Sequence, residues 1–483
     1  MKIPNGLIII VIYFIICPAV LISYLFEPFT QDVRLYLGAA KITALTPGFP
    51  MNLDLVWESR FVGHRLLYYI LDMISPFDGL LYSVWMKFVV ALVMIGVIYY
   101  FSKQVAERMQ VSFDYIFIIT FLGMFAVHHF TIFSAEAHSV IIGLAMIAML
   151  LDDPPIINGL AGLLILPLVI LKGLPVLLVP IIILVIIMLA KEDYQERLLA
   201  AACAVPIVIA SYLIMAGYFP HFISDIFLNT KLAHIGSLGY LDIGTYFVKY
   251  GVGVIGFLPI VIIGLFVTFL LLSVIRKEHV GDVGLLLLMW VVAAMYSLII
   301  QEFFYYHFYL AVIPAILTIG YFLKLYEYHD AAFTILVAVI LIVYVGVVAS
   351  WSVGLAGTGY AKWTDYDNAA IEILTRYPIT DQPTVLYLDD GLASYYLPAP
   401  TACRYVGALP IQRHTMNWDM TGVPAYWEQQ NCSLRYTGNY IIIDDTFMNI
   451  SASATQTDLR TKVYSEYQLV YHNKWDIYQR RVP

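Results

Sequence analysis

The chain has 483 residues, of which 61% are apolar and only 12% charged. Soluble domains carry about 25% charged residues, so most of this chain must have lipid as its solvent. The net charge of −8 is modest and mostly reflects the polar C-terminal part, and nothing in it points to a nucleic-acid partner.

In chain order, the first apolar run is Leu7 to Phe26. At about 20 residues it is long enough to cross a bilayer, and no small-residue cleavage pattern follows it, so it reads as a retained helix. Leu80 to Phe101, Tyr115 to Val127, Ser139 to Leu151, Ile156 to Leu171 and Leu174 to Leu189 come next. Leu198 to Met215, Val252 to Ile275, Val283 to Ile300, Phe308 to Leu325 and Ala331 to Trp351 bring the number to about eleven spans. Lys2, Lys103, Arg108, Lys191, Arg197, Arg276, Lys277 and Lys324 all fall on one side, which the positive-inside rule makes cytoplasmic. An odd number of spans then puts the N-terminus inside and everything after Trp351 outside.

The first outer loop, Glu27 to Leu80, breaks the charge bias with Arg34, Lys41, Arg60 and Arg65. Long loops escape the rule, so simple tolerance is one reading; bases that meet an anionic headgroup or phosphate are the other. The loop has helical patterning. "DVRLYLGAAKITAL" sets Val33, Leu37, Ala40 and Ala44 at helical spacing, and "ESRFVGHRLLYYILDMI" sets Gly63, Leu67, Ile70, Leu71 and Ile74 on one face. Both predict amphipathic helices lying in the membrane interface.

After about Gly354 the composition turns soluble. "DNAAIEILTRYP" predicts a helix ended by Pro378, "TVLYLDD" and "NYIIIDD" two buried strands, and "YQLVYHN" with "WDIYQRR" a terminal hairpin. The expected division is therefore a polytopic α-helical membrane domain over 1–353, including the outer loop 27–80, and an extracytoplasmic α/β domain over 354–483. Cys17 and Cys203 lie in apolar runs, whereas Cys403 and Cys432 share the outer domain, where an oxidising exterior would suit a disulfide. The sequons at Asn431 and Asn449 fit the same location.

Ionisable groups near spans are costly, so those at outer turns are the candidates for chemistry. Asp32 and Arg34 open the first loop, followed by Asp54, Glu58, Arg60, His64 and Arg65. "VHHFTIFSAEAHS" offers His128, His129, Glu136 and His138; "LKGLP" offers Lys172; "QEFFYYHFYL" offers Glu302, Tyr305, Tyr306 and His307. Glu136 and His138 are two apart and do not share a helical face, so no metal site is predicted there. A loosely held divalent cation, Mg or Mn, beside Asp32 stays open.

This layout resembles the GT-C superfamily of membrane glycosyltransferases, in the group that includes the protein O-mannosyltransferases and the aminoarabinose transferases. "FTQDVRLYLGAAK" is similar to that family's acid followed four residues later by an aromatic and then small residues, here Asp32, Tyr36, Ala39 and Ala40. "QEFFYYHFYL" resembles its Gln-x-x-Phe-x-Tyr-His stretch. Asp32 is followed by Val33, so the acid pair of some relatives is missing and metal dependence stays open. The resemblance implies transfer of a hexose or pentose, mannose among them, from a polyprenyl or dolichyl phosphate with inversion at the anomeric carbon. Transfer would take place on the outer face of a plasma membrane, to a glycan, lipid or protein acceptor of the cell envelope.

In such a reaction a carboxylate must take the proton of the acceptor hydroxyl, and Asp32 is the candidate base. Charge that grows on the leaving phosphate calls for fixed cations and donors, and Lys172, Arg60, Arg65 and His307 are the candidates. Arg34, Glu58, Glu136 and Tyr306 are candidate substrate contacts. Plainer readings stand beside these: Asp32 as a helix N-cap, Lys172 snorkelling to the interface, and Arg60 and Arg65 pairing with Glu58, Asp72 or lipid headgroups. His307 and Glu136 could equally bond neighbouring helices, the latter through Lys172. A transporter or flippase of lipid-linked sugars is the alternative function, and the lack of a visible internal repeat counts against it.

Overall fold

A computed structural model of the chain describes residues 9–26, 29, 31–49, 51–55, 62–77, 79–125, 135–171, 178–224, 268, 279–300, 309–325, 331–335, 337–339, 363–389, 391–406, 424–444 and 454–481. The chain divides into two compact units. One comprises Met1–Glu27, Phe77–Ile214 and Ser237–Ser352, and the other Pro28–Pro76, Met215–Gly236 and Val353–Pro483.

The first unit is helical. Among the described residues three helices, Ile9–Phe26, Leu81–Met109 and Tyr194–Tyr218, are long and apolar enough to cross a membrane. Shorter apolar helices run over Phe113–Phe125, Ala137–Leu151, Pro155–Leu171, Leu178–Leu189, Val280–Met295 and Tyr309–Leu325. All of them fall on predicted runs; Val252 to Ile275 and Ala331 to Trp351 lie largely outside the described residues. The helix expected to stop near Phe101 continues to Met109, because "SKQVAERM" is made of good helix formers, and it stops where Gln110 turns left-handed at φ 58°.

Small residues let the helices of this unit approach closely. A Cβ on Gly162 would stand 2.1 Å from the Ala201 carbonyl oxygen and 2.8 Å from Ala204 Cβ, so only glycine fits that crossing. Helix Ala135–Leu151 stops at Asp152-Asp153-Pro154-Pro155, and Pro155 opens the next helix. Its last carbonyls are held by cations, as a helix C-terminus favours: Arg197 Nη1 donates to Leu150 O at 3.0 Å and Arg108 Nη2 to Leu151 O at 3.1 Å, while both guanidinia meet Asp153 Oδ1 at 3.0 Å. Nearby, Lys191 pairs with Asp282 at 3.0 Å and Tyr321 donates to the same carboxylate at 2.8 Å. Arg108, Lys191 and Lys324, assigned to one side by charge, line a single cavity of about 520 Å³ at these helix ends.

The second unit is built on a four-stranded sheet: β1 (Leu386–Leu388), β2 (Tyr440–Ile443), β3 (Tyr467–His472) and β4 (Asp476–Arg480), in the order β1-β2-β4-β3. β1 and β2 are parallel, with Leu386 opposite Ile441; β4 runs antiparallel to both β2 and β3. Helix 363–376 and the terminal hairpin lie where the sequence predicts them. β1 and β2 are apolar throughout because both faces of the sheet are covered. Leu386, Leu388, Ile441 and Ile443 pack with Ala425, Tyr426, Leu459 and Val463 of helices Pro424–Arg435 and Ala454–Glu466. Tyr387, Ile442 and Ile477 face the other way, onto Ala369 and Ile373 of helix 363–376 and onto Ala39 and Ile42 of helix Gln31–Leu45.

That second face also takes in a helix of the first loop. Residues 28–76, assigned with the spans because they lie between two of them, group with the C-terminal sheet, since Ala39 and Ile42 complete its core. Helix Gln31–Leu45 is accordingly buried nearly all round instead of lying half-exposed in an interface. In helix Val62–Met73 the buried face holds His64, Arg65, Tyr68 and Leu71, while Ile70 and Ile74 of the expected apolar face are exposed. Ring packing decides this: His64 lies edge-on to Tyr36 with centroids 4.8 Å apart, and Tyr68 meets Tyr36 at 5.3 Å.

Cys403 and Cys432 form a disulfide on the Leu386 face. It fixes Asn431 on helix Pro424–Arg435, with Ser433 of the same sequon buried; Asn449 lies outside the described residues. Burial pushes the phenols of Tyr467 and Tyr478 up to about 12, and those of Tyr387, Tyr405 and Tyr436 up as well. The folded state therefore holds these protons more tightly than the unfolded chain, whose tyrosines titrate near about 10. Their contribution is fully present below that pH and is lost as pH rises toward about 12. An alkaline titration followed at once by tyrosinate absorbance and circular dichroism should show the sheet unfolding together with the late phenolate step, not after it.

Candidate functional site

Asp32 stands in the first turn of helix Gln31–Leu45, one residue inside its described start instead of before it as an N-cap would be. A carboxylate is favourable there because the backbone N–H groups of a first turn carry partial positive charge. The Asp32 side chain itself lies outside the described residues. What surrounds its helix is well defined.

Arg34, two residues on, is 8% exposed. Its Nη1 donates to the Tyr396 hydroxyl at 2.6 Å and its Nε to the Phe29 carbonyl at 3.3 Å. The guanidinium carbon stands 4.3 Å from the Trp363 ring centroid, 5.2 Å from that of Tyr395 and 5.4 Å from that of Tyr396. A planar, weakly hydrated cation suits such an aromatic seat. Lys41 reaches the same neighbourhood, with Nζ 3.4 Å from the Tyr395 carbonyl and 4.3 Å from its ring centroid. Asp367 on helix 363–376 feels this cluster: burial pushes its carboxyl up, and the Arg34 charge pulls it partly back.

Arg65 is 5% exposed, and its Nη1 donates to the Leu53 carbonyl, tying helix Val62–Met73 to the short helix Asn52–Leu55 that carries Asp54. The structure thus brings Asp32, Arg34, His64 and Arg65 into one unit on two packed helices. Glu136 lies in the first turn of helix Ala135–Leu151, with its side chain outside the described residues. Glu58, Arg60, Lys172, Tyr306 and His307 lie outside them altogether. Among the described residues no three His, Cys, Asp or Glu side chains group as a metal would require.

Sequence reasoning passed over two sets of residues. Trp363, Tyr395 and Tyr396 are more than 300 positions from Arg34, and only their density of rings could have marked them. Lys87 is the single charged residue between Gly79 and Phe101, which was a legible signal. It is 3% exposed, and its Nζ donates to the Tyr24 carbonyl at 2.9 Å, capping the last turn of the first span.

No protein-family model and no curated protein matches the chain. Among solved structures it is similar to ArnT from Cupriavidus metallidurans, solved in the apo state. The TM-score is 0.58 at 14% identity, and the match covers 96% of this chain and 97% of that one. The chain therefore has the fold of a polytopic α-helical membrane protein with a small C-terminal sheet. More narrowly, it is the fold seen in that ArnT structure.

Proposed function

We propose that the protein is a membrane glycosyltransferase that moves a sugar from a polyprenyl or dolichyl phosphate to an acceptor hydroxyl on the outer face of the plasma membrane. The observation that carries this reading is the fold likeness to ArnT, an aminoarabinose transferase, over nearly the whole of both chains. The acid in the first turn of the first-loop helix supports it, because chemistry at the membrane surface needs a base there and lipid movement does not. The gathering of Arg108, Lys191 and Lys324 at one end of the helical unit supports a cytoplasmic assignment for that end.

In this reading the Asp32 carboxylate takes the acceptor hydroxyl proton as the new bond forms at the anomeric carbon. The bond from that carbon to the donor phosphate oxygen breaks on the opposite side, which inverts the centre and releases the polyprenyl phosphate. Arg65, with Arg60, Lys172 and His307, is assigned to the growing phosphate charge, and Glu58, Glu136 and Tyr306 to the sugars. Arg34 stands with them as a substrate contact, its Nη1 and Nε holding Tyr396 and Phe29 and its other N–H groups left for a sugar.

The test is turnover by the purified protein in nanodiscs with a panel of polyprenyl-phosphate sugars, reading released polyprenyl phosphate by mass spectrometry. Release from one donor is the expected result and names the sugar. If no donor is cleaved while lipid-linked sugar crosses the bilayer of proteoliposomes, the transporter reading replaces this one.

A further inference from the structure

Helix Gln31–Leu45 packs on the C-terminal sheet through Ala39 and Ile42. Its midpoint, Gly38, meets the Ser394–Tyr395 backbone so closely that a Cβ would stand 2.2 Å from Ser394 Oγ and 2.7 Å from the Tyr395 nitrogen. One turn earlier Leu35 rests on Gly391, whose φ of +93° no other residue adopts easily. One turn later Ile42, fully buried, enters the core with Trp475 and Ile442.

The seat is itself braced. Asp389 Oδ2 accepts from the Ala393 N–H at 2.7 Å, Ser394 Oγ donates to Gly391 O at 2.6 Å, and Tyr366, Tyr396 and Trp475 pack with centroids 5.1 to 5.7 Å apart.

Arg34 adds something the apolar contacts do not. Its Nε bonds the carbonyl of Phe29, three residues before Asp32, while its own Cα lies two residues after, so this one side chain closes the backbone on both sides of the acid. Its Nη1 then fastens that closed segment to Tyr396.

We propose that the C-terminal α/β domain holds the Asp32 carboxylate in place for proton transfer, with Arg34 as the positioning residue and Trp363, Tyr395 and Tyr396 as its seat. This rests on the reading of Asp32 as the base. It gives the outer domain a role in turnover whether or not that domain touches an acceptor.

Positioning separates from mere stabilisation in Arg34→Met. Methionine has similar length and fills an aromatic seat, while the lost bonds to Phe29 O and Tyr396 and the lost charge near Asp367 lower stability. It cannot bond Phe29 O or Tyr396. A displacement of about 1 Å at a reacting group can lower the rate about 10²-fold.

The expected result for Arg34→Met is a protein still folded at the assay temperature with a thermal midpoint lower by about 5 to 10 °C, kcat lower by about 10- to 100-fold, and a donor KM within about twofold. Arg34→Lys, which keeps the charge over the rings, should recover part of kcat. Hydrogen exchange should quicken at amides 31–37 and stay slow in β1 and β2. Gly38→Ala, which must push the helix off its seat, should lower kcat in the same way.

A folded Arg34→Met protein with wild-type kcat would overturn the proposal. So would a loss confined to acceptor KM, which would make Arg34 a substrate contact only. Asp32→Asn separates the two readings. If it is as active as wild type, the assignment of the base fails; if it is inactive while Arg34→Met is fully active, only the positioning role fails.

Discussion

Asp32→Asn is expected to lower turnover by about 10²- to 10⁴-fold, the range that a positioned general base contributes. Asparagine keeps the size of the side chain and can still accept a hydrogen bond from an incoming hydroxyl. It cannot take the proton, so the acceptor must attack as a neutral alcohol, and the loss should fall on kcat with donor affinity nearly unchanged. The residual rate would come from cations around the leaving phosphate, which Asp32→Asn leaves in place. Single-turnover release of polyprenyl phosphate measures the effect directly. Equal rates in mutant and wild type would instead leave Asp32 as a first-turn acid, worth about 0.3–1 kcal/mol to its helix through the dipole.

How far the sequence foretold this molecule depends on the range of the forces involved. The described apolar helices, helix 363–376 and the terminal hairpin were legible because each is set by composition or periodicity within a short window. "TVLYLDD" and "NYIIIDD" read as buried strands for the same reason, since an apolar run of that length needs both faces covered. Residues 27–80 were legible only in part. Val33, Leu37 and Ala40 announce a helix, and in isolation such a helix looks as if it should float in an interface. Its true partners, Ser394, Trp363 and Trp475, come from more than 300 residues later, and no local pattern encodes that meeting. Arg34 shows the consequence. Its charge beside Asp32 suggests a substrate contact, and nothing near it in the sequence marks the three distant rings and one hydroxyl that hold it.

Removing the Cys403–Cys432 bond should destabilise the C-terminal unit by about 3 to 4 kcal/mol, on the loop-closure scale. The bond joins cysteines 29 positions apart, one in the segment after β1 and the other in helix Pro424–Arg435. Without it the unfolded chain regains the freedom of that loop. The Cys403→Ser, Cys432→Ser double variant should therefore melt about 10 °C lower by tryptophan fluorescence, and a reductant should lower wild type to match. The two faces of the sheet make a sharper distinction. The disulfide lies with Leu386 and Leu388, whereas Ala39 and Ile42 of the Asp32 helix pack on the opposite face with Tyr387 and Ile442. Well below its melting temperature the double variant should keep wild-type kcat, in contrast to Arg34→Met, which should be slow at every temperature. A kcat that fell with the disulfide at low temperature would mean that the two faces are coupled through the strands, and that stability and placement of the acid cannot be separated in this domain.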